Sequence, residues 1–181
     1  MKIKLDQICR ENVQVLYGTE YILIDDFFDL DFFEESHNYF LNNYTIINKL
    51  EHHYALSYHP LMSELKEYEA EMINAINSIW GVDCVENKAS VTLTLARNML
   101  PVHNDAHCEN IPVRGVLYLS DVCGTTIHSD AMGSDPIEIG GKINQLLLFK
   151  VSENSYHSVG TTHQVDVDRM AMVMMFDRIR G

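Results

Sequence analysis

Basic residues are scarce in this chain. Thirteen Lys and Arg stand against 26 Asp and Glu, giving a formal charge of −13 and a pI near 4.9. Such a surface repels a polyanion, which excludes a general phosphate-backbone groove. A small molecule, a peptide or a partner protein fits better. Cys9, Cys84, Cys108 and Cys123 form no CxxC pair and no zinc-ribbon spacing, so reduced thiols in a cytoplasm are expected. No apolar run approaches the ~18 residues that span a bilayer, and the opening MKIKLDQICREN lacks the apolar core of a signal peptide. Cytoplasmic placement follows as an expectation, with neither membrane nor nucleic acid as partner. Repeats, low-complexity tracts and Pro/Gly/Ser-rich linkers are also missing. At 181 residues with 46% hydrophobic content, the chain reads as one globular domain that buries roughly 70% of its unfolded surface.

Two periodicities divide what is there. Tyr21 to Ile24 is a short apolar strand ended by Asp25-Asp26. Asp31 is placed to cap a helix over Phe32 to Leu41. Leu61 to Trp80 carries one apolar stripe at helical spacing (Leu61, Leu65, Tyr68, Met72, Ile73, Ile76, Trp80), and Gly81 stops it. Beyond Gly81 the period becomes two in Ser90 to Leu95, in parts of Val113 to Leu119 and in Val165 to Phe176. Asn144 to Val151 is a continuous apolar run of strand length. Helices first and strands after predict an antiparallel sandwich or jelly roll with helices packed on one side. Residues 1–88 would supply helical support and the first strands, and 89–181 the jelly-roll core.

The chemistry-bearing pattern lies in that second half. His103 and Asp105, two apart on an extended strand, share a face about 6.6 Å apart along the backbone and can converge on one ion. A third ligand from a distant strand, such as His157, completes a set of two His and one carboxylate, which suits Fe(II) with open positions. Arg169, opening the apolar run Met170 to Phe176, offers a permanent cation for a carboxylate. His107, His128 and His163 compete for the third position. His103, Asp105 and His107 together would bind zinc and serve a hydrolase. Taken singly, each residue also has a plain structural reading: a strand-ending turn, a half-buried imidazole, an edge cation. The Met cluster at 170–175 reads as core packing.

The order of these elements resembles the Fe(II)- and 2-oxoglutarate-dependent dioxygenases, nearest to their prolyl-hydroxylase-like branch. The resemblance rests on His103-Asn104-Asp105, Leu117-Tyr118-Leu119-Ser120, Cys123-Gly124-Thr125, Leu146-Leu147-Leu148-Phe149, Asn154 to Val159 around His157, and Arg169, with YILIDDFFDLDFF at 21–33 similar to the branch's opening. It implies a double-stranded β-helix, a distorted cupin-like jelly roll with N-terminal helices on one sheet. It further implies that His103, Asp105 and His157 hold Fe(II), and that Arg169 meets the distal carboxylate of 2-oxoglutarate. Tyr118 and Thr94 (or Thr92) are the accompanying donors. Hydroxylation of a C–H bond in a small molecule, amino acid or peptidyl substrate would accompany decarboxylation of 2-oxoglutarate to succinate, with ascorbate as a candidate stimulant. Asp105, absent from halogenating relatives, implies hydroxylation. The interval from His157 to Arg169 is longer than usual, and Gly124 is followed by Thr125-Thr126 where the branch often pairs glycines. The rival classes are a non-enzymatic jelly-roll binding module and the zinc hydrolase. Leu41 to Pro60 and Thr125 to Gly140 are expected to form the substrate rim, and Arg114 and Arg97 are the alternative carboxylate clamps.

Overall fold

The computed structural model describes residues 2–49, 54–94, 100–121, 123–159 and 168–178. In chain order the elements are β1 Gln14–Leu16, β2 Thr19–Ile24, α1 Leu30–Asn43, β3 Ile46–Lys49, β4 Tyr54–Leu56, α2 Leu61–Glu67 and α3 Glu69–Trp80. There follow β5 Glu86–Thr94, β6 Leu100–His103, β7 Val113–Tyr118, β8 Thr125–Ile127, β9 Ile137–Ile139, β10 Leu146–Lys150, β11 His157–Val159 and β12 Arg169–Asp177. Eight strands form one sheet in the order β1-β2-β10-β7-β12-β5-β4-β3, and four form a second, β6-β11-β8-β9. The described pairs are antiparallel. This is the distorted jelly roll expected above.

Alternation along the large sheet's strands decides which residue goes where. Ile22, Ile24, Val91, Leu93, Leu117, Leu146, Leu148, Met170, Met172, Met174 and Phe176 belong to one buried core with Phe33 and Phe40 of α1 and with Leu61, Met72, Ile76 and Trp80 of α2 and α3. Their neighbours point the other way. Tyr21, Val116, Tyr118, Leu147, Phe149 and Ala171 form a second, smaller cluster, and Ser90, Thr92, Thr94, Arg114, Val116, Phe149, Arg169, Val173 and Met175 line a cavity shared with the small sheet. Both faces of these strands are therefore covered. Gly115 is one consequence: a Cβ there would come within 3.1 Å of Leu148 and 3.2 Å of Met174.

Two local expectations need correction. The N-cap of α1 is Asp29, which accepts from the Phe32 backbone N–H, and Asp31 lies inside the first turn. Asn144 decides this: its side chain accepts from the Phe28 N–H at 3.0 Å and donates to the Phe28 carbonyl at 2.9 Å, fixing where the chain enters the helix. The stripe from Leu61 to Trp80 is two helices, because Tyr68 sits at φ −99°, ψ 7° and interrupts the first. Glu69, just past the break, accepts from the Asn87 N–H of β5 at 2.8 Å, so the second helix is tied to the sheet. The final strand begins at Arg169 among the described residues. Residues 165–167 of its expected span, and Leu95 of the earlier one, lie outside them. No helix among the described residues is long and apolar enough to cross a membrane.

Candidate metal centre

The small sheet sets the two imidazoles face to face. His103 ends β6 and His157 begins β11, and their Cα atoms are register partners. The rings lie 4.3 Å apart between centroids. Asp105 follows two residues after His103, where a turn closes as the Cys108 N–H donates to the Asp105 carbonyl at 2.8 Å. Asn104, on the opposite side of the backbone, anchors this loop by donating to the Glu153 carbonyl at 3.0 Å. One ligand atom from each of His103, Asp105 and His157 lies within 4.8 Å of the others. Among the described residues this is the sole such group of His, Cys, Asp or Glu.

Both imidazoles are held in one tautomer. His103 Nδ1 lies 2.8 Å from the Pro101 carbonyl and His157 Nδ1 lies 2.9 Å from the Ser155 carbonyl. A carbonyl can only accept, so each Nδ1 carries the proton and each Nε2 keeps its lone pair. His157 Nε2 stands 3.7 Å from Asp105 Oδ2. Burial, and then the neighbouring His103, push the His157 pKa down to about 4, so the imidazole is a neutral donor at physiological pH. Two imidazole nitrogens and one carboxylate oxygen fit a divalent ion of the Fe(II) type with positions left open.

The cavity beside the three has a volume of about 420 Å³. Arg169 lies in its wall, 6% exposed, opposite Thr94 in the β5–β12 register. Its Nε donates to the Cys123 carbonyl at 3.2 Å and its guanidinium carbon lies 5.3 Å from the centre of the Tyr118 ring. No carboxylate among the described residues pairs with it. Tyr118 is fully buried, and its hydroxyl meets the Thr125 hydroxyl at 2.9 Å and accepts from the Thr125 N–H at 3.1 Å. Burial raises its pKa, with Arg169 acting in the opposite direction. Thr125, Thr92 and Thr94 line the cavity itself. Sequence reading gave Thr125 no role here, although its place after the Cys123-Gly124 turn was noted. It also left Arg114 as a fallback clamp, whereas its Nε sits 3.2 Å from Asp105 Oδ2.

The competing histidines go elsewhere. His107 is exposed within the Asp105–Cys108 turn, which ends the strand alternation that would have brought it onto the His103 face. The zinc set of His103, Asp105 and His107 is therefore not assembled. His128 is buried and engages the Ser158 hydroxyl through Nε2 at 2.7 Å, outside the cavity lining. His163, Arg97 and Arg180 lie outside the described residues. A close approach seals the wall near Arg169: a Cβ on Gly124 would lie 2.2 Å from the Ile139 carbonyl oxygen and 2.7 Å from that of Gly140.

No protein-family model and no curated protein sequence matches the chain, but solved structures do. An oxidoreductase of the 2OG-Fe(II) oxygenase family from Burkholderia pseudomallei superposes with a TM-score of 0.63 at 13% identity, over 89% of this chain and 85% of that one. A Pseudomonas putida prolyl-4-hydroxylase gives 0.65 at 15% identity, over 88% and 92%. A Trichoplax adhaerens prolyl hydroxylase, in complex with a hypoxia inducible factor peptide fragment, gives 0.67 at 14%, over 87% and 83%. At these identities the likeness is one of fold, the double-stranded β-helix.

Proposed function

We propose that the protein is an Fe(II)- and 2-oxoglutarate-dependent oxygenase that hydroxylates a C–H bond of a small molecule, amino acid or peptidyl substrate. One observation carries this reading: two tautomer-locked imidazoles and a carboxylate share a cavity with a buried guanidinium that no described carboxylate neutralises. The fold is shared with a 2OG-Fe(II) oxygenase and two prolyl hydroxylases, one of them in complex with a peptide fragment.

His103, Asp105 and His157 would hold the metal through Nε2, a carboxylate oxygen and Nε2. Bound iron supplies the oxygen activation that no side chain can perform. Arg169 binds the distal carboxylate of the cosubstrate, since a buried cation that no described carboxylate pairs gains most from a bidentate anion. Tyr118 supports the guanidinium from below. The Thr125, Thr92 and Thr94 hydroxyls are the remaining donors in the wall. Cosubstrate decarboxylation to succinate is read directly, without knowledge of the substrate. Anaerobically purified protein given Fe(II), 2-oxoglutarate and then air is expected to form succinate slowly, with ascorbate extending the reaction. Absence of both succinate formation and 2-oxoglutarate binding to the metal-loaded protein would refute the proposal. It would leave a binding module on the same fold.

A further inference from the structure

Arg114 is a charged cavity residue that the oxygenase reading leaves without a task. It lies on β7 with its side chain in the lining, register partner to Phe149 on β10 and Met175 on β12. Phe149 packs edge-on against His157, 4.9 Å between ring centroids, so Arg114 belongs to the metal end of the cavity. Arg169 starts β12, six positions before Met175, which separates the two arginine backbones by roughly 20 Å of strand. The cosubstrate reaches from the metal toward Arg169. Arg114 faces what remains.

Its donors are poorly used. Nε is buried and 3.2 Å from Asp105 Oδ2, yet is not aligned to donate a hydrogen bond. Nη2 meets the Cys108 thiol at 3.7 Å, a weak acceptor. Charge counting agrees. The described lining holds two arginines and one carboxylate. A divalent ion raises that balance to three positive charges, and a dianionic cosubstrate lowers it to one. A half-buried surplus cation beside the reacting centre favours an anionic occupant.

We infer that Arg114 forms a second anion subsite, and that it selects a primary substrate bearing a carboxylate, an amino acid or similar small acid presenting a C–H bond near that group. Naming the substrate rests on the oxygenase reading, whereas the subsite does not. The test uses the whole protein, labelled with 15N-arginine, loaded with Zn(II) and 2-oxoglutarate, and titrated with sodium acetate or with acetamide. Acetate should shift the Arg114 Nε resonance, identified by its loss in Arg114→Met, and acetamide should not. Saturation transfer to the acetate methyl should fall at least about fivefold in Arg114→Met, while calorimetric Zn(II) and 2-oxoglutarate affinities stay within about threefold.

No shift with acetate, or the same shift with acetamide, overturns the inference. So does an Arg114→Met variant that loses Zn(II) affinity but keeps the acetate signal, because Arg114 would then merely position Asp105. If Arg114→Met fails to fold, the acetate–acetamide contrast on the unmodified protein still decides, with Arg114→Lys identifying the resonance. If the unmodified protein binds neither Zn(II) nor 2-oxoglutarate, the oxygenase reading falls, and the same titration on metal-free protein decides the subsite alone.

Discussion

Among the described residues stand two close histidine pairs, and they are opposites. His37 and His59 lie on the helical side of the large sheet, with His37 Nδ1 3.4 Å from His59 Nε2 and the Leu61 N–H donating to His59 Nδ1 at 3.2 Å. Phe33 stacks on His37 and Phe40 packs against His59. Both nitrogens of His59 are consumed inside the protein, and no carboxylate accompanies the pair in the metal-capable group. His103 and His157 spend only Nδ1, on their own strand carbonyls, and turn Nε2 toward Asp105 and the cavity. Burial and pairing do not make a histidine a ligand. The nitrogen left over does.

Breaking the proposed ligand pair should produce the largest effect. His157→Ala is expected to weaken Mn(II) or Fe(II) binding by at least about 100-fold, measured by calorimetry, with melting temperature little changed. His59→Phe should leave metal affinity untouched. Metal loss in the second variant and not the first would invert the contrast.

Arg169→Met extends the test along the cavity. Removing one partner of a buried charge pair costs about 2–5 kcal/mol, so half-saturation by 2-oxoglutarate should rise at least tenfold by that principle while metal affinity holds. An unchanged cosubstrate affinity would remove Arg169 from the clamp.

The helical-side pair should appear instead in stability. His59→Phe preserves ring packing but strands the Leu61 N–H and His37 Nδ1, at a cost of about 1–3 kcal/mol, read from urea unfolding. Its pH dependence carries a definite sign. Burial, and then His37, lower the His59 pKa from the usual 6.5 to about 3. Above 6.5 both folded and unfolded chains are neutral there and the contribution is complete. As pH falls toward 3 the unfolded chain takes up the proton first, so stability is progressively lost. His59→Phe should flatten that decline. His157, lowered to about 4, adds to the decline in metal-free protein, and bound metal should oppose its share. The smallest effect belongs to His107→Ala, for which metal affinity within about twofold is expected, because the residue is exposed in the turn.

Long-period features were legible in the sequence and contact-determined ones were not. The alternation from Met170 to Phe176 announced a strand, and the order of His103, Asp105, His157 and Arg169 announced a site, because both are written in spacing. Asp29 and Asp31 are equivalent as local caps. Only Asn144, more than a hundred residues away in sequence, chooses between them. The strands Tyr54–Leu56, Thr125–Ile127 and Ile137–Ile139 are each three residues long, too short for a period of two to register. Arg114 stands in the sequence only as an alternative clamp, and its place becomes visible once β6, β7 and β10 bring Asp105 and Phe149 to it. The contacts of the Tyr118 hydroxyl with the Thr125 backbone and hydroxyl are of the same kind, set by a partner on another strand.

The absent side chain at Gly124 has an electrostatic consequence. Its contact with the Ile139 and Gly140 carbonyls closes two backbone segments over the wall from which the neighbouring Cys123 carbonyl receives the Arg169 Nε–H. A methyl group there must part the segments and admit solvent. Two unit charges 4 Å apart attract by about 4 kcal/mol at an effective dielectric constant near 20 and by about 1 kcal/mol in water. One hydrogen atom in place of a methyl thus acts as insulation, keeping the field of Arg169 strong in a cavity that Gly124 itself does not line.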